Sequence, residues 1–244
     1  MSTTSKVWKT QALAEHYLEG VRAALPLAAE QIDLMLRLAQ AACPTVERFL
    51  DLGCGDGILG HTMLGQYPQA KGVFLDFSEP MLEAAQKRLA SFSDQVTLIA
   101  QDYGNPTWVR HIQNSEPFDL IISGFSIHHQ TDERKQSIYR EIYALLKPGG
   151  LFLNLEHVAS PTKWVVERFD DIMLDSLYAY HLQQGGQKSR EEIGQIYYYR
   201  PDKDANILAP VEVQCDWLRT IGFTHVDCYF KLFELALFGG IRPK

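Results

Sequence analysis

The sequence predicts an α/β fold, a doubly wound and mostly parallel sheet, on three observations. From residue 48 onward short apolar runs alternate with amphipathic stretches; the central runs are continuously apolar; and the glycine-rich loop Gly53-Cys54-Gly55-Asp56-Gly57 follows the first of them directly. Strand–helix alternation is the mark of parallel strands joined by helical crossovers. Continuous apolarity fits strands covered on both faces. A glycine turn at a strand's end allows close approach of backbone to a ligand, and such ligands sit beyond the strand carboxyl ends.

The elements follow in order. Residues 7 to 42 carry apolar positions at helical spacing, Leu13, Tyr17 and Val21, then Ile32, Leu34, Leu36 and Leu38, with Pro26 between them, which predicts two helices ahead of the sheet. Seven strands are expected at RFLDLG, KGVFLDF, QVTLIAQD, FDLIISGF, GLFLNLEHV, THVDCYF and KLFELALFGG, with helices at 57–65, 80–91, 131–146 and 211–220. Ser78 is placed to cap the helix at 80–91, whose first turn tolerates Pro80. Lys147-Pro-Gly-Gly150 is expected to close the helix at 131–146. The last two runs are nearly contiguous, so they must form an antiparallel hairpin. Residues 160–210 break the alternation: they read as helical to about 195 and then become irregular, as a cap over the sheet's carboxyl edge would. The expected organisation is one domain over 1–244, with N-terminal helices (1–45), a cofactor-binding core (46–158), a cap insert (159–210) and a C-terminal helix and hairpin (211–244).

Composition narrows the partners. A chain that is 46% hydrophobic and 22% charged is a globular protein. Nothing in it approaches the ~20 apolar residues of a membrane span, and no apolar signal segment opens it. The four cysteines, Cys43, Cys54, Cys215 and Cys228, lie far apart without a CxxC pair, so neither zinc nor a disulfide framework is expected, and a cytoplasmic location fits. A net charge of −7 without a Lys/Arg run argues against nucleic acid as partner. A small molecule is the expected substrate, no membrane or metal is expected, and a homodimer is the candidate assembly.

The spacing of the loop identifies its ligand. Gly53, Gly55 and Gly57 form G-x-G-x-G, whereas a dinucleotide fingerprint needs a glycine at position 58, which is Ile58. Asp51 suits an amino acid's ammonium better than a pyrophosphate, which favours a methionine-like tail and disfavours a nicotinamide oxidoreductase. Asp76 ends the second run, where a carboxylate accepts from both ribose hydroxyls. Asp102 follows the third run and can accept from an adenine amino group, with Phe77, Met81 and Tyr103 flanking the base. Cys54 reads as a small residue of the tight loop.

These residues resemble the class I S-adenosylmethionine-dependent methyltransferases over roughly residues 45–240. LDLGCGDG looks like that family's first motif, VFLDFSEPML its second and AQDYGNP its adenine-side acid. FDLIISGFSIHH and LLKPGGLFLNLEH look like its fourth strand and the turn into its fifth. The resemblance implies a seven-stranded Rossmann-like sheet in the order 3-2-1-4-5-7-6, S-adenosylmethionine as cofactor with S-adenosylhomocysteine as product, and methyl transfer to a small molecule. It also implies Asp51, Gly53 and Gly55 at the methionine tail, Asp76 at the ribose, Asp102 and Tyr103 at the adenine, and Ser123 near the sulfonium. The N-terminal helices, the long insert and the ending ALFGG are similar to the carboxy-S-adenosylmethionine synthases. This chain departs from them in the glycine loop, which reads nearer GCSLG there, and at Ala28, which aligns with a tyrosine of theirs. The alternative is thus a cofactor-binding protein without methyl transfer, either such a synthase or a silent subunit.

Methyl transfer needs alignment and, for an oxygen or nitrogen acceptor, a base. His128 and His129 follow the fourth strand, and Glu156 and His157 end the fifth. The catalytic candidates are His128 first, then Glu156 and His157, of which only one should face the site because neighbours on a strand alternate. The cap offers Tyr178, Tyr180, His181 and Tyr197 to Tyr199 for an aromatic pocket, with Arg200 for an anionic group. Tyr17, Tyr198 and Arg200 are the substrate candidates.

Overall fold

A computed structural model of the chain describes residues 24–112, 117–199 and 206–244. Tyr17, Arg200 and the helix expected before residue 22 lie outside the described residues. Pro26 is followed by Leu27 in the left-handed region (φ 57), which re-aims the chain into α1 (Ala28–Ala42). Helix α1 buries Gln31, Met35 and Ala39, a stripe at four-residue spacing, against one face of the sheet.

The sheet consists of β1 (Arg48–Leu52), β2 (Lys71–Asp76), β3 (Val96–Ala100), β4 (Phe118–Gly124), β5 (Leu146–His157), β6 (Thr224–Leu232) and β7 (Leu235–Ile241). Its order is β3-β2-β1-β4-β5-β7-β6, as the resemblance implies, with β7 antiparallel to both neighbours and the remaining pairs parallel. Strand periodicity splits the core in two. Leu50 and Leu52 face a layer with Tyr139 and Ile142, whereas Phe49 faces Met35 and Met63 on the other side. The layers belong to α4 (Asp132–Leu145) and α7 (Val211–Ile221) on the first face, and to α1 and α2 (Ile58–Gln66) on the second, with α3 (Glu79–Arg88) beside α2. Burial on both faces is why the strands read as continuously apolar.

Three local expectations are corrected. Ser78 occupies the N-cap of α3, but its side chain makes no capping bond; its N–H instead donates to Asp76 Oδ1 at 2.9 Å. Lys147-Pro-Gly-Gly150 does follow the helix, which ends at Leu145, but as part of β5 rather than as a turn, and there it absorbs a register shift between Phe118 and Leu120, with Gly149 at φ 84. The cap is two helices, α5 (Lys163–Gln183) and α6 (Arg190–Ile193), because Gly185 takes φ 78 and Ser189 opens a new capping box with Glu192. A wide turn over Gly194–Tyr198 follows. Helix α5 turns Phe169, Met173 and Leu177 inward; the first two pack with Leu235 beside Phe125, at the carboxyl end of β4. No described helix is long and apolar enough to cross a membrane.

Candidate functional site

The site forms where β1, β2 and β4 end. Gly53 N and Cys54 N both donate to Leu75 O, at 2.7 and 3.0 Å, folding the loop back over β2. Gly53, Gly55 and Gly57 all have positive φ (69, 53 and 76), which L-residues with side chains adopt at a cost. A Cβ on Gly53 would stand 1.9 Å from Ser126 Oγ, so the position admits only glycine. A Cβ on Gly55 would meet nothing within 4 Å; it would project into space that a ligand can fill. Asp76 Oδ2 accepts from Gly55 N at 2.9 Å while Oδ1 accepts from Ser78 N, so one carboxylate braces the loop and the start of α3 together. Burial pushes its pKa up against these amide bonds, which favour the charged form.

The resulting cleft has Gly53 and Gly55 as its floor, Asp76, Phe77, Ser78 and Met81 on one wall, and Gly124, Phe125, Ser126 and His129 on the other. Five of the residues expected at the cofactor, Gly53, Gly55, Asp76, Phe77 and Met81, line it. The other five do not line it. Asp51 is fully buried and its Oδ2 accepts from Gly60 N at 2.9 Å, in the first turn of α2. Ser123 Oγ donates to Leu52 O at 2.8 Å, tying β4 to β1. Cys54 is buried with its thiol pKa pushed well up by burial, and Asp102 Oδ1 accepts from Gly104 N at 2.7 Å. Tyr103 is buried with its hydroxyl 2.6 Å from Ser126 Oγ, and Arg134 Nε donates to its carbonyl. Gly124, Phe125 and Ser126 were not singled out from the sequence, and Ser78 only as a helix cap, although all four lie at the carboxyl end of a parallel strand, which is the signal that could have found them.

Beside the cleft lies a cluster of imidazoles and carboxylates. His129 lines the cleft, and its ring centroid is 4.0 Å from that of His128. His128, the first-choice base, is itself buried behind it: Nδ1 is 2.5 Å from Glu156 Oε1, and its backbone N–H donates to Glu156 Oε2 at 3.0 Å. His157 N also donates to Glu156 Oε1, and His157 Nε2 is 2.7 Å from Glu234 Oε2. Of Glu156 and His157, of which at most one was expected to face the site, neither lines the cleft: Glu156 holds His128, and Glu234 reaches His157 from the β6–β7 turn. Burial pushes the Glu156 carboxyl up to about 7. Burial, then the neighbouring His157 and Lys135, hold His128 well below its ordinary value. Both shifts favour a neutral pair sharing one proton near neutral pH.

The chain returning from the cap seals this cluster. Ile207 N donates to His128 O at 2.9 Å, and buried Lys135 donates to Ile207 O as well as to Asp132 Oδ1 at 2.8 Å. Of the cap tyrosines, Tyr178, Tyr180 and Tyr197 pack around Ala24, Leu177 and Ile193. Tyr198 also joins the Phe169–Met173–Leu235 cluster, which Phe125 connects to the cleft, and its hydroxyl donates to Asp170 Oδ1 at 2.6 Å.

Residues 50–152 match a family described as "Methyltransferase domain". A demethylmenaquinone methyltransferase of Leptospira interrogans is 34% identical over 116 residues, 48% of this chain and 45% of the relative, so the chain spans less than half of that protein's length in the match. A carboxy-S-adenosyl-L-methionine synthase of Desulforapulum autotrophicum is 24% identical over 96% of this chain and 90% of its own. Among solved structures, an O-methyltransferase family protein from Burkholderia thailandensis shares the fold, with a TM-score of 0.60 and 17% identity over 87% of this chain and 58% of that one. The methyltransferase-domain match over residues 50–152 thus covers strands β1, β2, β3 and β4, the glycine loop and its brace Asp76, within a sheet of order β3-β2-β1-β4-β5-β7-β6.

Proposed function

We propose that the chain transfers a methyl group from S-adenosylmethionine to a small-molecule acceptor and releases S-adenosylhomocysteine. The observation that carries the proposal is the open space over Gly55 beside Asp76, a cradle of bare backbone next to a carboxylate with accepting capacity left. Asp76 accepts the ribose hydroxyls, Gly53 and Gly55 let the backbone approach the methionine tail, and Phe77 and Met81 give apolar contact to the base. Asp51, Cys54, Asp102, Tyr103 and Ser123 shape the loops from behind. The bound cofactor supplies a methyl carbon activated by its sulfonium. The chain contributes alignment, worth up to ~7–11 kcal/mol in well-oriented reactions. His129 on the cleft wall takes the acceptor's proton, and the His128–Glu156–His157 cluster holds and orients it.

Four free cysteines and a net charge of −7 support a cytoplasmic enzyme of one domain, and a homodimer is its proposed assembly. The test is incubation with methyl-labelled cofactor and a metabolite extract. Label recovered in a small molecule supports the proposal; intact cofactor binding without any label transfer sinks it. A carboxy-S-adenosylmethionine synthase is the second reading, favoured by a match that runs through the cap rather than stopping at residue 152. Mass spectrometry of the ligand carried through purification separates the two, since a carboxylated cofactor has its own mass.

A further inference from the structure

Helix α4 opens against its own local preference. Thr131 caps it, accepting from Arg134 N at 3.3 Å, and Asp132 and Glu133 put negative charge in the first turn, where the helix dipole favours it. Arg134 comes next, at the position where a capping box has Glu or Gln and where a cation meets the positive end of the dipole. A local rule broken in this way is compensated by a distant partner. For Arg134 that partner is the loop after β3. Its Nε donates to Tyr103 O at 3.1 Å, and Nη2 donates to the same carbonyl. Nη1 and Nη2 also donate to Glu141 Oε1 and Oε2, at 2.7 and 2.8 Å, farther along α4.

The guanidinium thus bridges Glu141 and the Tyr103 carbonyl, with side-chain exposure of only 12% for Arg134 and 20% for Glu141, so solvent screens the pair little. Glu141 Oε2 also accepts from Trp108 Nε1 at 2.6 Å, and Trp108 is fully buried in the short 3₁₀ helix Pro106–His111. The stretch between Tyr103 and Trp108 is braced internally: Asp102 Oδ1 accepts from Gly104 N, and Asp102 O accepts from Asn105 N at 3.0 Å. Helix α4 therefore grips one stiff loop at two points, the Tyr103 carbonyl and the Trp108 indole.

The grip reaches the cleft through the Tyr103 side chain. Its hydroxyl is 2.6 Å from Ser126 Oγ, and Ser126 lines the cleft. A Cβ on Gly53 would stand 1.9 Å from Ser126 Oγ and 3.3 Å from the Tyr103 ring, so both side chains bear on the glycine loop. Arg134 itself does not line the cleft, so any effect it has there passes through Tyr103. We propose that Arg134 is a positioning residue of the cofactor cleft: anchored on Glu141, it holds the Tyr103 carbonyl and so sets Tyr103 and Ser126 against Gly53. The proposal rests on the reading of this cleft as the S-adenosylmethionine site. Lysine cannot substitute, because a compact ammonium lacks the planar fork that serves a carboxylate and a carbonyl at once.

Calorimetry of S-adenosylhomocysteine with the full chain tests the proposal, alongside chemical denaturation to show that each variant is folded. Arg134→Lys keeps the charge and loses the fork; it should weaken binding about tenfold, the lower end of what a lost charge-assisted hydrogen bond costs. Tyr103→Phe removes the contact with Ser126 at the far end of the same link and should weaken binding by no more than Arg134→Lys does. With both substitutions in one chain the loss should stay close to the larger single loss, because each breaks the same link. Single losses that multiply in the double variant mean independent effects and overturn the proposal, as does an Arg134→Lys affinity within about twofold of the wild type. Where Arg134→Lys does not fold, Glu141→Gln carries the test: it leaves the guanidinium and removes its charged anchor, so binding should weaken about threefold or more, and unchanged binding overturns the proposal. A role confined to stability would lower the denaturation midpoint of these variants and leave their affinity where it was. A wild type that binds no S-adenosylhomocysteine overturns the cofactor reading and the positioning role together; a wild type that binds it, with the variants unchanged, overturns the positioning role alone.

Discussion

The β1–β2 side of the cleft is built from main chain and one carboxylate: Gly53 and Gly55 at positive φ, with Asp76 accepting from Gly55 and Ser78. The β4–β5 side, and the cluster beside it, are built from side chains of four separate segments, Phe125 to His129, Glu156 and His157, the cap around Tyr198, and the β6–β7 turn with Phe233 and Glu234. The first side is local in sequence and tolerates little change, since its geometry is set by conformations only glycine adopts freely. The second is assembled over long range from replaceable side chains. A fold built this way can hold one cofactor while its acceptor changes, which is how one scaffold comes to serve many substrates.

Four predictions test that contrast, from the largest effect to the smallest. Gly53→Ala puts a Cβ into Ser126 at a φ of 69, and calorimetry should show S-adenosylhomocysteine affinity falling by on the order of 100-fold or more. An unperturbed affinity would mean that the loop is not the cofactor cradle. Asp76→Asn keeps the shape and removes the charge-assisted acceptor; bonds to charged groups are worth about 1.5–3 kcal/mol, so roughly 10- to 100-fold weaker cofactor binding is expected, with little change in acceptor KM.

The third prediction concerns the acceptor side and pH. The Glu156 carboxyl is raised from 4.5 to about 7 in the folded chain, so below about 4.5 both states are protonated. As pH rises from there through 7, the unfolded state releases its proton first, and the stability contributed by the buried neutral acid is lost. Glu156→Gln stays neutral. Chemical denaturation should therefore show the variant gaining on the wild type between pH 4.5 and 7, and a constant difference above that. His128, held neutral, has the opposite slope, with stability lost as pH falls below its ordinary 6.5, so it opposes the Glu156 slope just below that pH and flattens the wild-type profile there. A steep wild-type slope there would show that the pair does not share a proton. The smallest effect is that of Tyr198→Phe, which removes one hydrogen bond to Asp170 and should cost about 1 kcal/mol in thermal unfolding, without moving cofactor affinity.

Legibility in the sequence follows the same division. The helix expected at 211–220 is found at Val211–Ile221, and the strand runs fall on observed strands, because period and burial are local properties of the chain. The errors occurred where a local signal had two outcomes. Lys147-Pro-Gly-Gly150 ends a helix in sequence logic but serves as a bulge within β5, since β4 pairs on both sides of it. Gly185 splits the cap helix that periodicity alone would have continued. In the site, His128 and His129 are neighbours in one short 3₁₀ turn and are equivalent to any sequence pattern. Only the positions of Glu156 and the cleft assign the buried place to the first and the open place to the second.

The sequence by itself determined the alternation of strands and helices, the glycine loop and the acid at the end of β2, because each depends on a run of adjacent residues obeying backbone sterics and burial. Tertiary structure alone decided which carboxylates line the cleft and which brace it, that Glu234 meets His157 across 77 residues, and that Phe125 joins the Phe169–Met173–Leu235 cluster to the cleft. Those outcomes depend on which distant segments are brought within a few ångströms, and on the burial that then shifts a carboxyl toward neutrality, and neither is a property of any short stretch of chain.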